Sequence, residues 1–369
     1  MRPLLLASAV VCSLGIASRF AYADDGHDFT TEGKALLAVG ACGDIEAPAG
    51  FPKTLLTEHC EVIKKAQDDY LNNWVKPARE FFASHVPKDV PKKVVYPFAG
   101  GDLSTALTVY PDADEITTIS LEPSGDPRDL GTLKGKDLEK ALKKVEYELK
   151  FLYRVNFSNT VNMIDAMRGG ALPTELIFAL SALKIHGFEV VSLKYFSLNQ
   201  DGAIHYLDDD DLKKAGDAAN AAAQKRNWFF ANAELQFKRP GGRIQIYRHI
   251  RANLGNDDGA GIGAGTKADP RVIKHLEAKG DIAAMTKAAS YLLSWESFSI
   301  MRDYLHVSAE GAAKVHDFSL RSLNYDGWVA KNTMDSEIRL AREQLKISDE
   351  ITEDKIMDWR FLKEVLGQK

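Results

Sequence analysis

The sequence predicts an α/β fold: a mostly parallel sheet with an antiparallel hairpin, an N-terminal helical cap and a helical C-terminal region. Three observations predict it. Residues 94–98 and 115–121 are β-rich runs joined by a glycine turn and a short helical stretch, the pattern of a parallel β–α–β unit. Residues 228–238 and 243–253 alternate around Arg239-Pro240-Gly241-Gly242, the pattern of a hairpin. Residues 134–157 repeat apolar side chains at spacings of three and four, with Lys and Glu between them, the pattern of an amphipathic helix.

Composition sets the outer bounds. The 369 residues are 45% hydrophobic and 27% charged, which excludes a disordered or collagen-like chain. At about 150 residues per domain, this length fits two domains or one large α/β domain with additions. Lys and Arg total 47 against 52 Asp and Glu, so the net charge of −5 provides no global basic surface and no nucleic-acid partner is expected.

Arg2 precedes the apolar run 4–16, which leads to Ala21-Tyr22-Ala23 and then to Asp24-Asp25. A charged start, an apolar middle and a small-x-small site predict a signal peptide over 1–23. The run is shorter than the roughly 20 residues of a membrane span. No later segment is long and apolar enough for one, so the mature chain is expected to be soluble and exported, periplasmic or secreted. Export removes Cys12 and leaves Cys42 and Cys60 with 17 residues between them. In an oxidising compartment such a pair predicts a disulfide. His59 adjoins Cys60, but no Cys-x-x-Cys pair or second nearby His completes a zinc set.

The expected organisation follows in order. Residues 24–91 form the disulfide-containing cap, with a helix over 55–84 that Pro77 kinks or breaks. Residues 92–255 form the α/β domain. Within it 103–109 and 174–186 read as helices, the second opened by Pro173 and stopped by Gly187. Residues 188–198 and 203–207 read as strands. The acidic cluster 208–211 suits the start of a polar helix running to 226. Residues 256–369 hold a Gly-rich loop over 256–266 and helices over 283–293, 297–306, 336–345 and 353–366.

The segment 94–122 carries the candidate site. A strand that opens at Gly100-Gly101 before a helix brings backbone N–H groups toward a ligand. Glu122 lies about 20 positions on, at the end of the next strand, where an acid can hold a ribose diol. This segment resembles the first β–α–β of class I S-adenosylmethionine-dependent methyltransferases. The run Tyr96-Pro97-Phe98-Ala99-Gly100-Gly101 is similar to the Pro-Phe-x-Gly turn of some DNA and RNA methyltransferases. The resemblance implies a Rossmann-like, methyltransferase-like sheet. It also implies a cofactor set of Tyr96, Gly100, Gly101, Asp102 and Glu122 for S-adenosylmethionine, with the methionine part near the glycine turn and the ribose on Glu122. Tyr96 stands where that motif usually has an acid, no further Gly follows Gly101, and the Asp/Asn-Pro-Pro-Tyr/Phe motif is absent. S-adenosylmethionine is moreover a cytosolic metabolite. The scaffold is thus implied more strongly than the cofactor. Residues 286–291, with Arg302-Asp303, resemble uncharacterised exported bacterial proteins, which implies no activity.

Other constellations are weighed against plainer readings. Asp102 and Glu122 are the candidate catalytic pair, able to do acid–base work if burial separates their pKa values. Asp126-Pro127-Arg128-Asp129 reads as a turn with a local ion pair. Lys287 and Ser290 share a helical face, but no Gly-x-Ser-x-Gly elbow positions a nucleophile. His249, His275, His306, His316 and Asp317 lack His-x-x-x-His spacing, so no metal is expected. The basic run 238–251 reads as a charge-protected sheet edge. The expected function is an exported ligand-binding or degenerate non-catalytic protein using the crevice at Gly100, Gly101, Asp102 and Glu122. The alternatives are a methyltransferase-type transferase or carboxylate-dependent hydrolase in the same crevice, and a cell-envelope protein-interaction module. On the binding reading, Gly101→Val is expected to abolish ligand stabilisation without unfolding the chain.

Overall fold

Strands β1 (Lys93–Pro97), β2 (Glu115–Ser120), β3 (Glu189–Leu198), β4 (Ile204–Tyr206), β5 (Asn232–Lys238), β6 (Ile244–Arg251) and β7 (Ala283–Ala284) form one sheet. Their order is β4-β3-β5-β6-β2-β1-β7 in a computed structural model, which describes residues 26–86, 90–155, 172–217, 228–256, 269–285 and 296–308. The adjacent strands β6, β2, β1 and β7 run parallel. Strands β5, β3 and β4 continue the sheet antiparallel. The chain is therefore α/β with a parallel core and an antiparallel wing. The helices are α1 (Thr30–Val39), α2 (Lys53–Tyr70), α3 (Lys76–His85), α4 (Leu103–Val109), α5 (Asp129–Thr132), α6 (Gly135–Val155), α7 (Thr174–Ile185), α8 (Asp209–Ala215), α9 (Pro270–Glu277) and α10 (Ser299–Ser308). Among the described residues no helix is long and apolar enough to cross a membrane.

Side chains alternate between the two faces of the sheet. One face carries Val94, Tyr96, Ile116, Tyr247, Leu193, Tyr195 and Phe237, which join residues of α1, α2, α4, α6 and α7 in one large apolar cluster. The other presents Val95, Ile119, Ile250 and Phe196 to Val272 and Leu276 of α9 and Met301 of α10. Buried on both faces, β1 and β2 are built from the near-continuous β-branched runs that such strands need. Helix α7 is buried around nearly its whole circumference and packs against α1, α2, α4 and β3. The α6 stripe of Leu138, Leu142, Val145, Leu149 and Leu152 is buried, as its periodicity predicts.

Cys42 and Cys60 are disulfide-bonded, with Cα atoms 5.3 Å apart, joining the turn after α1 to α2. In the chain-entropy account, closing a loop of this length contributes about 3 kcal/mol. Between α2 and α3 the helix widens to a π-turn over Leu71–Val75, and Pro77 sits in the first turn of α3. Proline has no N–H to give to the carbonyl four residues back, so the ladder is interrupted there rather than continued.

Four expectations change. The hairpin β5–β6 is not a sheet edge; β6 pairs with β2 and β5 with β3, so it lies in the middle. Its first strand begins at Asn232 rather than 228. Ala283–Ala284 is a strand, although alanine favours helix, because Met285 N–H and its neighbours close backbone bonds onto β1. Helix α9 was not anticipated, although Asp269-Pro270 is an N-cap followed by proline at the first helical position, and the Asp269 side chain accepts from Arg271 N–H. The predicted signal peptide, Lys287, Ser290, His316 and Asp317 lie outside the described residues, as do the Gly-rich loop beyond residue 256 and the helices predicted over 336–345 and 353–366.

Candidate active site

At the carboxyl end of β1 the chain turns through Phe98 (φ 57°) and Gly100 (φ 53°) into α4. Asp102 caps that helix. Its Oδ1 accepts from Thr105 N–H at 3.3 Å and from Thr105 Oγ1 at 2.7 Å, and its Oδ2 accepts from Tyr96 Oη at 3.0 Å. Tyr96 and Asp102 are thus brought together. Gly101 is occupied differently from the sequence expectation: a Cβ there would lie 2.2 Å from Phe178 Cδ2 of α7. The glycine lets a buried helix approach the turn, which accounts for it without any ligand.

Past the end of β2, Glu122 is fully buried, and among the described residues neither carboxylate oxygen has a hydrogen-bond partner. Glu175, in the first turn of α7 and 2% exposed, also has both oxygens without a hydrogen bond. Its Oε1 lies 3.4 Å from His249 Nδ1 on β6. His249 Nε2 donates to the Glu122 carbonyl at 2.8 Å, which fixes Nδ1 as the bare nitrogen. Thr118 Oγ1 lies 3.3 Å from that Nδ1 and 2.9 Å from Tyr247 Oη. Burial pushes the Glu175 pKa well above the ordinary carboxylate value, and the charges of Glu122 and Asp102 push it further. Burial pushes the His249 imidazole down, outweighing its bond to the Glu122 carbonyl. Burial therefore favours the protonated form of Glu175 and the neutral form of the imidazole, with Glu122 acting on both and Asp102 on Glu175.

No protein family, curated protein or solved structure matches the chain.

The remaining pairs are explained locally. Asp126 and Arg128 form a two-pronged ion pair, Nε to Oδ1 at 2.9 Å and Nη2 to Oδ2 at 2.7 Å. Ser104 Oγ lies 3.0 Å from His186 Nε2, which resembles a nucleophile–base pair. Arg79 Nη2, however, donates to His186 Nδ1 at 2.5 Å. The proton of neutral His186 must then sit on Nε2 and point at Ser104, so this imidazole cannot take the hydroxyl proton. His249 and His275 lie on opposite faces of the sheet, and no group of three metal-ligating side chains occurs among the described residues. The arginines of the hairpin are engaged: Arg243 with Asp114, Arg248 with Glu115 and Glu234, Arg239 with the His186 carbonyl and Arg251 with the Leu121 carbonyl.

Spacing identified Asp102 and Glu122. It missed Glu175, because an acid in the first turn of a helix ordinarily reads as a match to the helix dipole. It also missed Thr118 and Tyr247, which look like ordinary strand residues.

Proposed function

We propose that the protein is an exported ligand-binding protein whose site is the crevice at the carboxyl ends of β1, β2 and β6. The ligand is a small molecule whose hydroxyl or ammonium groups donate to Glu122 and Glu175. One observation carries this reading: among the described residues, the fully buried Glu122 carboxylate has no donor on either oxygen. An acid left so costs several kcal/mol, which a bound donor would recover. The strand order supports a Rossmann-like scaffold: from β1 the chain passes first to β2 on one side and later to β7 on the other. Ligands of open α/β sheets bind outside such a reversal.

The test is thermal unfolding of the purified protein with S-adenosylmethionine, adenosine and putrescine, repeated in Glu122→Gln. A ligand at 100 times its Kd adds about 2.7 kcal/mol to the wild type. The Gln variant, relieved of a buried carboxylate that lacks a donor among the described residues, is more stable than wild type by about 1 kcal/mol and shows no ligand shift. A variant that loses stability or keeps its ligand shift defeats the reading. Export is checked separately by N-terminal sequencing of protein recovered from a bacterial periplasm, where Asp24 is the expected first residue; recovery of the whole chain in the cytoplasm refutes it.

A second reading, acid–base catalysis by a transferase or carboxylate-dependent hydrolase, draws on the pKa of Glu175. A carboxyl group whose pKa is raised by burial and by neighbouring acids is what a general acid needs. Turnover of a bound ligand that stops in Glu175→Gln while binding persists would establish it.

A further inference from the structure

A second cleft, of about 920 Å³, lies on the opposite face of the sheet from Glu122. Its wall includes Glu115, Tyr206, Arg248, His275 and Lys279, with His205 beside them. That volume is at the upper end of the range for small-molecule sites. We propose that this cleft binds a neutral, polyhydroxylated ligand of mono- or disaccharide size.

The first argument is charge balance. Lys279 Nζ bonds to Glu115, and Arg248 bonds to Glu115 and to Glu234, the latter at 2.7 Å. Tyr206 Oη donates to Glu234 at 2.7 Å, and Lys93 Nζ donates to the Lys279 carbonyl at 2.7 Å. Each of these cations already has its anion or carbonyl. An anion would have to compete with Glu115 and Glu234 for Lys279 and Arg248, whereas hydroxyls can add to the outside of the network as donors and acceptors together, and can donate to Asp201 and Asp208 on the same wall.

The second argument is His275. It is 8% exposed, and its Nδ1 lies 3.0 Å from the Gly202 carbonyl, which can only accept. Nδ1 therefore carries the proton and Nε2 is an acceptor, with no hydrogen-bond partner among the described residues. Burial, aided by the neighbouring Lys279, pushes this imidazole down to about 4, so it stays neutral at physiological pH. A neutral acceptor in a charge-balanced wall calls for an uncharged donor such as a hydroxyl. The Tyr206 ring adds an apolar surface for the C–H face of a sugar.

The experiment is amide NMR mapping and calorimetry on the whole protein with glucose, galactose, mannose, N-acetylglucosamine, cellobiose and chitobiose. Inorganic phosphate and putrescine serve as charged controls. At least one sugar is expected to bind with a Kd of about 1 mM or tighter. It should shift amides within 201–206 and 275–279, and lose about ten-fold affinity in His275→Ala. The mapping is done on wild type, so it remains decisive if that variant unfolds. Glu122→Gln should leave sugar binding unchanged, which separates this cleft from the crevice site. Absence of binding by every sugar, shifts confined to other residues, or stronger perturbation of the same amides by phosphate or putrescine would overturn the proposal.

Discussion

Arg248→Met lowers the unfolding free energy by about 3–5 kcal/mol, measured by urea denaturation, because it removes the one cation that serves two buried acids. Its guanidinium bonds Glu115 and Glu234 together, and the Glu234 side chain is 2% exposed. After the change Glu115 keeps Lys279, while Glu234 keeps the neutral donors Tyr206 Oη and Gln236 Nε2. Adding Glu234→Gln to that variant removes the stranded charge and recovers part of the loss; a double variant no more stable than the single one would refute the account. The same network sets an acid response. Burial alone would raise the Glu115 pKa, but Lys279 and Arg248 outweigh it and hold the carboxyl at about 2. Its folded pKa lies below its unfolded one, so its contribution is complete above the ordinary carboxylate value and is lost as pH falls toward 2. Stability measured over that window should fall more gently in Lys279→Met than in wild type.

Gly101→Val is expected to destabilise the fold by about 3 kcal/mol, the upper part of the usual overpacking range. A Cβ at this position meets Phe178 Cδ2 at 2.2 Å, Cγ at 2.9 Å and Cβ at 3.0 Å. Phe178 cannot swing away, because it is buried on a helix enclosed on all sides. Phe178→Ala in the Val background should restore part of the stability, although that change is itself costly in wild type. A Gly101→Val protein within about 0.5 kcal/mol of wild type would show that α7 gives way easily. The substitution therefore cannot serve as a ligand-specific probe, contrary to the expectation from the sequence.

What could be read in advance was what depends on neighbours in the chain. The glycine turn between Tyr96 and Asp102, the helix from Leu103 and the strand from Glu115 were legible because the signals are adjacent. The hairpin was legible, but its central place was not, since nothing near Ile244 shows that β6 pairs with β2. Ala283–Ala284 sits in an alanine-rich stretch, and only contact with Val94 and Val95 makes it a strand. Spacing marked Asp102 and Glu122, and the structure places both close enough to act on Glu175. Glu175 becomes notable only when α7 folds over β6 and leaves its carboxyl without a donor among the described residues.

The strand order also fixes when this protein can become itself. β1 and β2 are made early, yet their outer neighbours are β7 and β6, whose residues leave the ribosome far later. Until then the first two strands offer open hydrogen-bonding edges, and the face that packs against α9 and α10 is uncovered. Topologies dominated by such distant pairings fold slowly, and a partly made chain is prone to aggregate. A sequence that delays its own closure in this way stays threadable for longer, as the export proposed above would require.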